Sequence, residues 1–329
     1  MTLRAGIIGA GLMGKWHAHA LQRAGGTLVG VCDLDPGKAR ELAGDARVHS
    51  DLDELLRETR IDVLHVCTPL HSHFELASAA LERGIHVLVE KPMTPAASET
   101  ERLFELAAQR QVLVCPVHQF LFQDGVEQAR ARVREIGELR HFEATFCSAG
   151  GQRSRADELD EVVAEILPHP LSLMQVFAPG SLREEGWFVS RAAPGEYRAV
   201  VNSRGICFSI LISMNSRPTT AALRLLGTAG TIQIDFFHGF SVIEPGLVSR
   251  ARKILHPFDL SARIFASAGA NLAKRAATAE SAYPGLRTLI ERFYAAISTC
   301  SASPIRREEA VEVALSCERL KGSASASAS

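Results

Sequence analysis

A glycine-rich segment directly after the first apolar run constrains the fold more than any other feature of this chain. The run Ala5–Ile8 is followed by Gly9-Ala10-Gly11-Leu12-Met13-Gly14 and then by a segment with helical character. A GxGxxG pattern between a strand and a helix is typical of the turn that binds a dinucleotide pyrophosphate. Its glycines permit a tight turn and a close approach of the ligand, and the helix N-terminus offers backbone N–H groups to the anion. The segment therefore predicts a parallel α/β domain with a dinucleotide site.

Short apolar runs alternate with helical patterns from residue 3 to residue 117. The expected strands are Leu3–Ile8, Thr27–Cys32, Val63–Cys67, His86–Val89 and Val112–Val117. The expected helices are Met13–Ala24, Pro36–Leu42, Leu52–Glu58, Ser72–Arg83 and Ala97–Arg110. This alternation is typical of βαβ units, so residues 1–120 are expected to form a Rossmann domain with a parallel sheet.

The pattern changes after residue 120. Helices are expected at Gln123–Ile136 and Asp157–Ile166, and β-prone stretches follow at Leu139–Ser148, Gly186–Ser190, Tyr197–Met214, Thr219–Leu226 and Thr231–Ile243. Alternation in several of these stretches favours an antiparallel sheet with one solvated face. Closing helices are expected at Leu286–Ile297 and Glu308–Leu320. We therefore expect residues 121–321 to form an α+β domain with a mainly antiparallel sheet. Residues 322–329 are expected to form a disordered tail because of their low complexity.

Composition narrows the range of functions. The formal net charge of -1 gives no basic field, so a nucleic acid is not an expected partner. No run of 18 apolar residues predicts a membrane span, and no secretory signal is visible. Seven scattered cysteines without a CxxC pair indicate free thiols in a reducing compartment, and hence the cytoplasm. No Cys/His spacing predicts a metal site, and His17 and His19 lie two apart on a helix, on different faces.

An acidic residue follows the second expected strand. Asp33 lies 19 residues beyond Gly14, where a carboxylate accepts hydrogen bonds from the adenosine ribose hydroxyls. It repels a 2′-phosphate, so the residues favour NAD over NADP. Lys38 and Arg40 are close enough in sequence to leave NADP possible. The alternative is that Asp33 only caps the next helix.

A second motif, Glu90-Lys91-Pro92, follows the apolar run Val87–Val89. It places a lysine just past the carboxyl end of a strand, the edge at which open α/β sheets bind ligands. Lys91 there can reach both a nicotinamide and a substrate, and is expected to move the hydroxyl proton or to stabilise developing negative charge. Glu90 is expected to orient Lys91 or to contact the cofactor; the alternative is a solvated loop acid.

The segment Cys67–Thr94 resembles the signature of the glucose–fructose oxidoreductase, inositol dehydrogenase and MocA family. The resemblance rests on Thr68-Pro69, His73 and Glu90-Lys91-Pro92, together with the glycine segment. It implies two domains, NAD(P) at the sheet edge, and a sugar, cyclitol or sugar-nucleotide substrate. It also implies a homodimer or homotetramer formed through the open face of the second sheet, and a Lys91–Pro92 peptide bond that is often cis. Thr68 and Pro69 would shape the nicotinamide end of the site, and His71 would contact the cofactor or act as a cap.

The family pattern also has Asp, three residues, then His before a helix in the second half. Here Glu165 and His169 stand at those positions, with Glu165 in place of the usual Asp. His169 can give or take a proton near neutral pH, and Glu165 would orient or tune it. The alternatives are a helix-capping histidine and an exposed acid. Pro168 makes one continuous helix unfavourable, so we expect a break there, with Pro170 in the first turn of a new helix.

A departure from the family lies after the last strand of the first domain. His118 and Gln119 stand where the family commonly has Asn and a basic residue. They are expected to line the substrate pocket or, alternatively, to pack at the domain junction. Residues 246–281 are rich in Ala, Ser, Arg and Lys and are expected to contain a helix that covers the substrate, binds phosphate or bridges subunits.

Together these residues predict an NAD(P)-dependent oxidoreductase acting on a secondary alcohol or ketone. Lys91, His169 and Glu165 are the expected catalytic residues. Two alternatives remain open on the same fold. One is a redox-neutral enzyme that uses NAD transiently to cleave a glycosidic bond, and the other is a non-catalytic regulator that senses a dinucleotide.

Overall fold

The chain forms two compact units in the computed structural model, which describes residues 2–148, 155–183, 186–246, 250–278 and 283–325. The N-terminal unit comprises Met1–Gln119 and Leu286–Leu315. The C-terminal unit comprises Phe120–Gly285 and Ser316–Ser329. Within the described ranges, no helix combines the length and the apolar character needed to cross a membrane. All seven cysteines are free thiols, as expected.

The N-terminal unit is built on a parallel sheet of six strands. The strands are β1 (Arg4–Ile8), β2 (Thr27–Cys32), β3 (Arg47–His49), β4 (Val63–Val66), β5 (His86–Val89) and β6 (Val114–Pro116). Their order is β3-β2-β1-β4-β5-β6, so the direction of winding reverses between β1 and β4. The expected Rossmann sheet is therefore confirmed. The sequence did not predict β3, whose three residues pair only with β2 at the sheet edge.

Helices follow the strands in the expected βαβ order. They are α1 (Leu12–Arg23), α2 (Pro36–Ala43), α3 (Leu52–Glu58), α4 (His73–Glu82) and α5 (Ala97–Gln109). Local side chains set where two of them begin: Asp35 accepts the N–H groups of Gly37 and Lys38, and Asp51 accepts that of Glu54. Such caps satisfy backbone donors that have no acceptor in the first turn.

One further helix of the N-terminal unit comes from late in the chain. α10 (Leu286–Ser298) was expected in the second domain, but it packs against α1 in the N-terminal unit. Its buried face carries Leu289, Ile290 and Phe293, and Tyr294 lies against the Gly26 turn. The apolar spacing of α10 predicted a helix with one buried face but could not identify the surface that face covers.

The C-terminal unit is built on a second sheet, of seven strands. These are β7 (Leu139–Cys147), β8 (Phe188–Ser190), β9 (Glu196–Ser203), β10 (Ile206–Ser213), β11 (Thr220–Gly227), β12 (Gly230–Asp235) and β13 (Phe240–Pro245). The order is β13-β12-β11-β7-β10-β9-β8, and every neighbouring pair is antiparallel except β7 with β10. The mainly antiparallel sheet expected from the sequence is confirmed.

The remaining helices are α6 (Asp124–Arg132), α7 (Ala156–Ile166), α8 (Pro168–Phe177), α9 (Arg250–Thr278) and α11 (Arg307–Ser325). α9 confirms the helix expected within residues 246–281. The expected disordered tail at residues 322–329 is wrong as far as Ser325, because α11 extends through that residue. Residues 326–329 lie outside the described residues.

Candidate functional site

The polar residues singled out in the first half follow the carboxyl ends of neighbouring parallel strands. Backbone hydrogen bonds continue past these ends, at N···O distances of 2.8 Å from Gly9 to Cys32, 2.8 Å from Cys67 to Ile8, 2.9 Å from Glu90 to Val66 and 2.8 Å from Val117 to Val89. Because parallel strands end at the same edge, the glycine loop, Asp33, Thr68 and Glu90 lie along one rim of the sheet. This rim contains the position between β1 and β4 where the winding reverses, which is where such sheets bind ligands.

The three glycines of the loop have different surroundings. Gly9 has φ +94°, and a Cβ there would lie 2.6 Å from the backbone carbonyl of Cys67. A Cβ on Gly14 would lie 2.0 Å from the carbonyl oxygen of Gly9. A Cβ on Gly11 would meet no atom within 4 Å. Gly9 and Gly14 are therefore required by the fold, whereas Gly11 leaves a space that a ligand can enter.

That space adjoins the start of α1. Leu12 is the first residue of the helix and Gly11 is its N-cap, without a side-chain cap hydrogen bond. The N–H groups in the first turn of a helix, here that of Met13 among them, have no intrahelical acceptor. Together with the helix dipole they favour an anion at this position. The residues present therefore fit a dinucleotide pyrophosphate.

Asp33 has a contact that the sequence did not predict. Its Oδ2 accepts the backbone N–H of Ala10 at 2.6 Å, and its Oδ1 accepts that of Asp35 at 2.8 Å. The carboxylate thus holds the glycine loop in place. Each carboxylate oxygen has a second lone pair, so these contacts leave acceptor capacity for ribose hydroxyls.

The loop after β4 is tied to the loop after β5 by His73. One ring nitrogen of His73 lies 2.8 Å from the carbonyl oxygen of Thr68, and the other lies 2.9 Å from that of Pro92. His73 is buried at the start of α4, whereas Pro69 and His71 are exposed. Of the two histidines, His73 therefore fixes the loop geometry, and His71 is the one accessible to a ligand.

Glu90 is almost fully buried, so the alternative of a solvated loop acid is wrong. Its Oε1 lies 2.9 Å from Nε2 of His17, and its Oε2 accepts the backbone N–H of Lys91 at 3.1 Å. Burial alone would raise the pKa of Glu90, but the hydrogen bond from His17 and the charges of His17 and Lys91 hold it below its usual value. The carboxylate therefore lies charged beneath Lys91. The Lys91–Pro92 peptide bond is cis, as the resemblance implied.

Three residues for which the sequence predicted no role connect to Glu90 through hydrogen bonds. Nδ1 of His17 is 2.8 Å from Nδ1 of His65, and Nε2 of His65 is 2.8 Å from the hydroxyl of Tyr294. All three side chains are buried. The available signal was a histidine in the middle of the apolar strand β4, since a buried polar side chain requires a partner.

His118 and Gln119 follow β6, and both are buried. Burial lowers the pKa of His118 to about 4, with Glu90 raising it and Lys91 lowering it further, so its ring is neutral at pH 7. Among the described residues, no donor reaches Oε1 of Gln119. A buried amide oxygen of this kind is available to a ligand donor.

His169 lies in the C-terminal unit, where its ring stacks on that of Phe120 with centroids 4.1 Å apart and planes 16° apart. Phe120 in turn stacks on Phe146 and Phe236. These three phenylalanines form an aromatic cluster that no sequence motif indicated, and the cluster fixes the plane of the His169 ring. His169 is buried, whereas Glu165 is exposed.

The expected helix break is present. α7 ends at Ile166 and α8 begins at Pro168, so Pro170 lies in the first turn of the new helix, as expected. Proline is favoured there because the first N–H of a helix has no intrahelical acceptor.

Within the described residues, one group of side chains has metal-ligand geometry. Ligand atoms of His49, Glu54 and Glu58 lie within 4.8 Å of one another. Arg57 lies 3.7 Å from Glu58 and competes for the carboxylate. The carbonyl oxygen of His49 accepts the backbone N–H of Asp33 at 3.4 Å, and the geometry of the three side chains by itself assigns no metal.

Comparisons with known proteins agree with the geometry. Residues 3–118 match the family described as an oxidoreductase family with an NAD-binding Rossmann fold. The chain is 30% identical over 174 residues to UDP-N-acetylglucosamine 3-dehydrogenase of Acidithiobacillus ferrooxidans, covering 52% of this chain and 53% of that protein. It is 37% identical over 109 residues to inositol 2-dehydrogenase 1 of Saccharopolyspora erythraea, covering 31% and 32%. The first match thus spans 53% of the length of that relative, and the second spans 32%.

Structural similarity extends over the whole chain. The WlbA dehydrogenase of Bordetella pertussis, solved in complex with NADH and UDP-GlcNAcA, matches with a TM-score of 0.77 and 16% identity. The match covers 99% of this chain and 96% of that one. At this identity the likeness establishes a shared fold. Fold, family match and motifs agree for the N-terminal unit: residues 3–118 match the NAD-binding Rossmann fold of an oxidoreductase family.

Proposed function

We propose that the protein is an NAD-dependent oxidoreductase that transfers a hydride between the nicotinamide and a secondary alcohol or ketone of a sugar, cyclitol or sugar nucleotide. The observation that carries the proposal is the single rim of the parallel sheet that holds the glycine loop, Asp33 and the Glu90–Lys91 pair. The relatives named for UDP-N-acetylglucosamine and for inositol support a carbohydrate substrate. Asp33 supports NAD over NADP because its carboxylate would repel a 2′-phosphate.

The proposed chemistry assigns the hydroxyl proton to residues of this chain. Bound NAD supplies the hydride acceptor at its nicotinamide. Lys91 holds the substrate hydroxyl and accepts its proton as the carbonyl forms, and the charged Glu90 stabilises the lysine in its protonated state. We propose His169 as a second proton-transfer group, supported by its stacked, fixed ring. We retain Glu165 only as a residue that tunes His169 through charge, because its side chain is exposed.

We also propose a cofactor contact for His71 and substrate contacts for His118 and Gln119. The exposure of His71 on the loop after β4 supports the first. No donor within the described ranges reaches the buried Oε1 of Gln119, and the ring of His118 is neutral. Both features support a polar, uncharged substrate group beside these two residues.

We propose in addition a homodimer or homotetramer formed through the C-terminal sheet. Apolar side chains exposed along α9 support a protein partner next to that sheet: Ile254, Leu255, Phe258, Phe265 and Leu272. α9 packs against β13, the edge strand of the sheet. Light scattering on the purified protein tests this proposal, and the mass of a single chain at all concentrations would contradict it. The free cysteines support a cytoplasmic location.

The test of the function is turnover of NAD with a panel of free and nucleotide-linked sugars. Lys91→Ala is expected to lower kcat by about 10²–10⁴-fold, the usual contribution of a proton-transfer group. NADH affinity is expected to remain close to that of the wild type, because the pyrophosphate and ribose contacts remain.

The matched control is Arg83→Ala, which removes a surface cation paired with Asp53 at the end of α4; Arg83 precedes the amino end of β5, whereas the rim residues Glu90 and Lys91 follow its carboxyl end. Its kcat is expected to equal that of the wild type. Tight NADH binding without net turnover would favour the redox-neutral enzyme or the sensing regulator. Full activity in Lys91→Ala would refute the assignment of the lysine.

A further inference from the structure

A continuous chain of buried hydrogen bonds leads away from the proposed active site. It starts at Glu90 and passes through His17 on α1 and His65 on β4 to Tyr294 on α10, with contacts of 2.9, 2.8 and 2.8 Å. Every group in it can both give and accept a hydrogen, except the carboxylate, which only accepts while it is charged.

The pKa values indicate which members remain neutral. Burial, and then the neighbouring His17, hold the pKa of His65 well below its usual value, so this ring is neutral. Burial raises the pKa of Tyr294, so its hydroxyl keeps its hydrogen. A neutral histidine between two partners donates from one nitrogen and accepts at the other. His65 can therefore pass a proton through by exchanging which nitrogen carries the hydrogen.

The far end of the chain lies close to the surface. The hydroxyl of Tyr294 is 3.3 Å from where a Cβ on Gly26 would lie. Gly26 is half-buried, and its neighbours Gly25 and Thr27 are exposed. Tyr294 is 5% exposed, and Gly26 places no side chain beside its ring.

Hydride transfer needs a route for one proton, because oxidation of an alcohol releases one proton and reduction of a ketone consumes one. Building on the proposed function, we propose that Tyr294, His65 and His17 form a proton relay that exchanges one proton between solvent and the Glu90–Lys91 pair. The three are positioning residues, since they act on the reaction through Glu90 and Lys91 and do not touch the reacting atoms.

The proton balance of the relay is simple. Without an extra proton, the Tyr294 hydroxyl donates to His65 Nε2, His65 Nδ1–H donates to His17 Nδ1, and His17 Nε2–H donates to Glu90. When a proton enters, Tyr294 passes its hydrogen to His65 and takes one from water, and His65 passes its Nδ1 hydrogen to His17. His17 then passes its Nε2 hydrogen to the Glu90 carboxylate across their 2.9 Å contact, so that the Glu90–Lys91 pair gains one proton and no electrons move. The reverse sequence returns the proton to water.

The experiment compares Tyr294→Phe with Tyr197→Phe, which removes a buried hydroxyl in the C-terminal unit that donates to the Leu320 carbonyl at 3.4 Å. With NAD and a turned-over sugar, Tyr294→Phe is expected to lower kcat by about tenfold and to raise the solvent deuterium isotope effect, with NADH affinity unchanged. Tyr197→Phe is expected to change neither value. His65→Gln, which keeps a donor and an acceptor but cannot pass a proton, is expected to match Tyr294→Phe. Wild-type kcat and isotope effect in both relay variants would overturn the relay.

A second readout needs neither substrate nor cofactor. Nitrogen NMR of the histidine rings in the NAD-free protein is expected to show His65 exchanging between its two tautomers, since each transfer moves the ring hydrogen from Nδ1 to Nε2. A single fixed His65 tautomer, unchanged in Tyr294→Phe, would overturn the relay. Absence of wild-type turnover on any sugar would instead count against the proposed function, because the NMR result does not depend on turnover.

Discussion

Asp33 is an example of one side chain that serves both the fold and the proposed ligand. Its two oxygens accept the N–H groups of Ala10 and Asp35 and so hold the glycine loop before any cofactor arrives. Its negative charge also sets which ribose can lie beside it. These two roles can be separated, because an amide oxygen accepts hydrogen bonds without carrying the charge.

Asp33→Asn is therefore expected to change cofactor preference more than stability. The amide oxygen still accepts from Ala10, the amide NH2 group can no longer accept from Asp35, and the repulsion of a 2′-phosphate is lost. The ratio of the Kd for NADPH to the Kd for NADH is expected to fall by about tenfold, which corresponds to one charge-assisted interaction. Fluorescence titration with both reduced cofactors measures this ratio. An unchanged ratio would refute the role of the carboxylate in selecting the cofactor.

At the residue scale, the sequence predicted the groups whose function depends on local chemistry. The glycines, Asp33 and Lys91 follow apolar runs, so a strand end could be assigned to each from neighbouring residues alone. Tyr294 could not be predicted in the same way, because its partner His65 lies 229 residues earlier in the chain. A contact over that separation depends on how the elements pack, and a single sequence does not reveal the pairing.

Two substitutions in the turn between β1 and α1 test which glycine the fold requires and which glycine the ligand requires. Gly9→Ala places a Cβ in a left-handed backbone conformation and 2.6 Å from a backbone carbonyl. It is expected to lower the free energy of unfolding by about 2 kcal/mol or more, because neither the backbone conformation nor the clash can be relieved cheaply. Urea unfolding followed by circular dichroism measures this loss.

Gly11→Ala is the matched substitution in the same loop. Its Cβ meets no atom within 4 Å, so the free energy of unfolding is expected to stay close to the wild-type value. Its NADH affinity is expected to fall, because the methyl group fills the space that the pyrophosphate would enter. Equal destabilisation by the two substitutions would contradict the different roles assigned to these glycines.

At the element scale, segments with a clear apolar pattern between turn-forming residues were predictable, and a strand of three residues was not. β2, β5 and α3 have the expected boundaries, because their apolar runs end at polar or turn-forming residues. β3 was missed because three residues carry too little pattern to identify a strand. The break before α8 was predicted from Pro168, because proline disrupts a continuing helix and fits the first turn of a new one.

At the scale of the whole molecule, the order of the elements was predictable and their grouping was only partly so. The parallel and the antiparallel sheet follow from the two kinds of apolar pattern on either side of residue 120. The membership of α10 in the N-terminal unit depends on packing against α1, and its periodicity is the same whichever surface it covers. This grouping has a functional consequence, because it brings Tyr294 into the hydrogen-bond chain behind Glu90.

The most direct test of the central claim is a titration of the purified chain with NADH, followed by nicotinamide fluorescence, for the wild type and for Gly11→Ala. We expect the wild type to bind one NADH per chain in a saturable manner. We expect the Gly11→Ala protein to bind NADH more weakly and to unfold at the same urea concentration as the wild type. Absence of saturable NADH binding to the folded wild-type protein would contradict the assignment of the sheet rim as a dinucleotide site, and with it the proposed oxidoreductase.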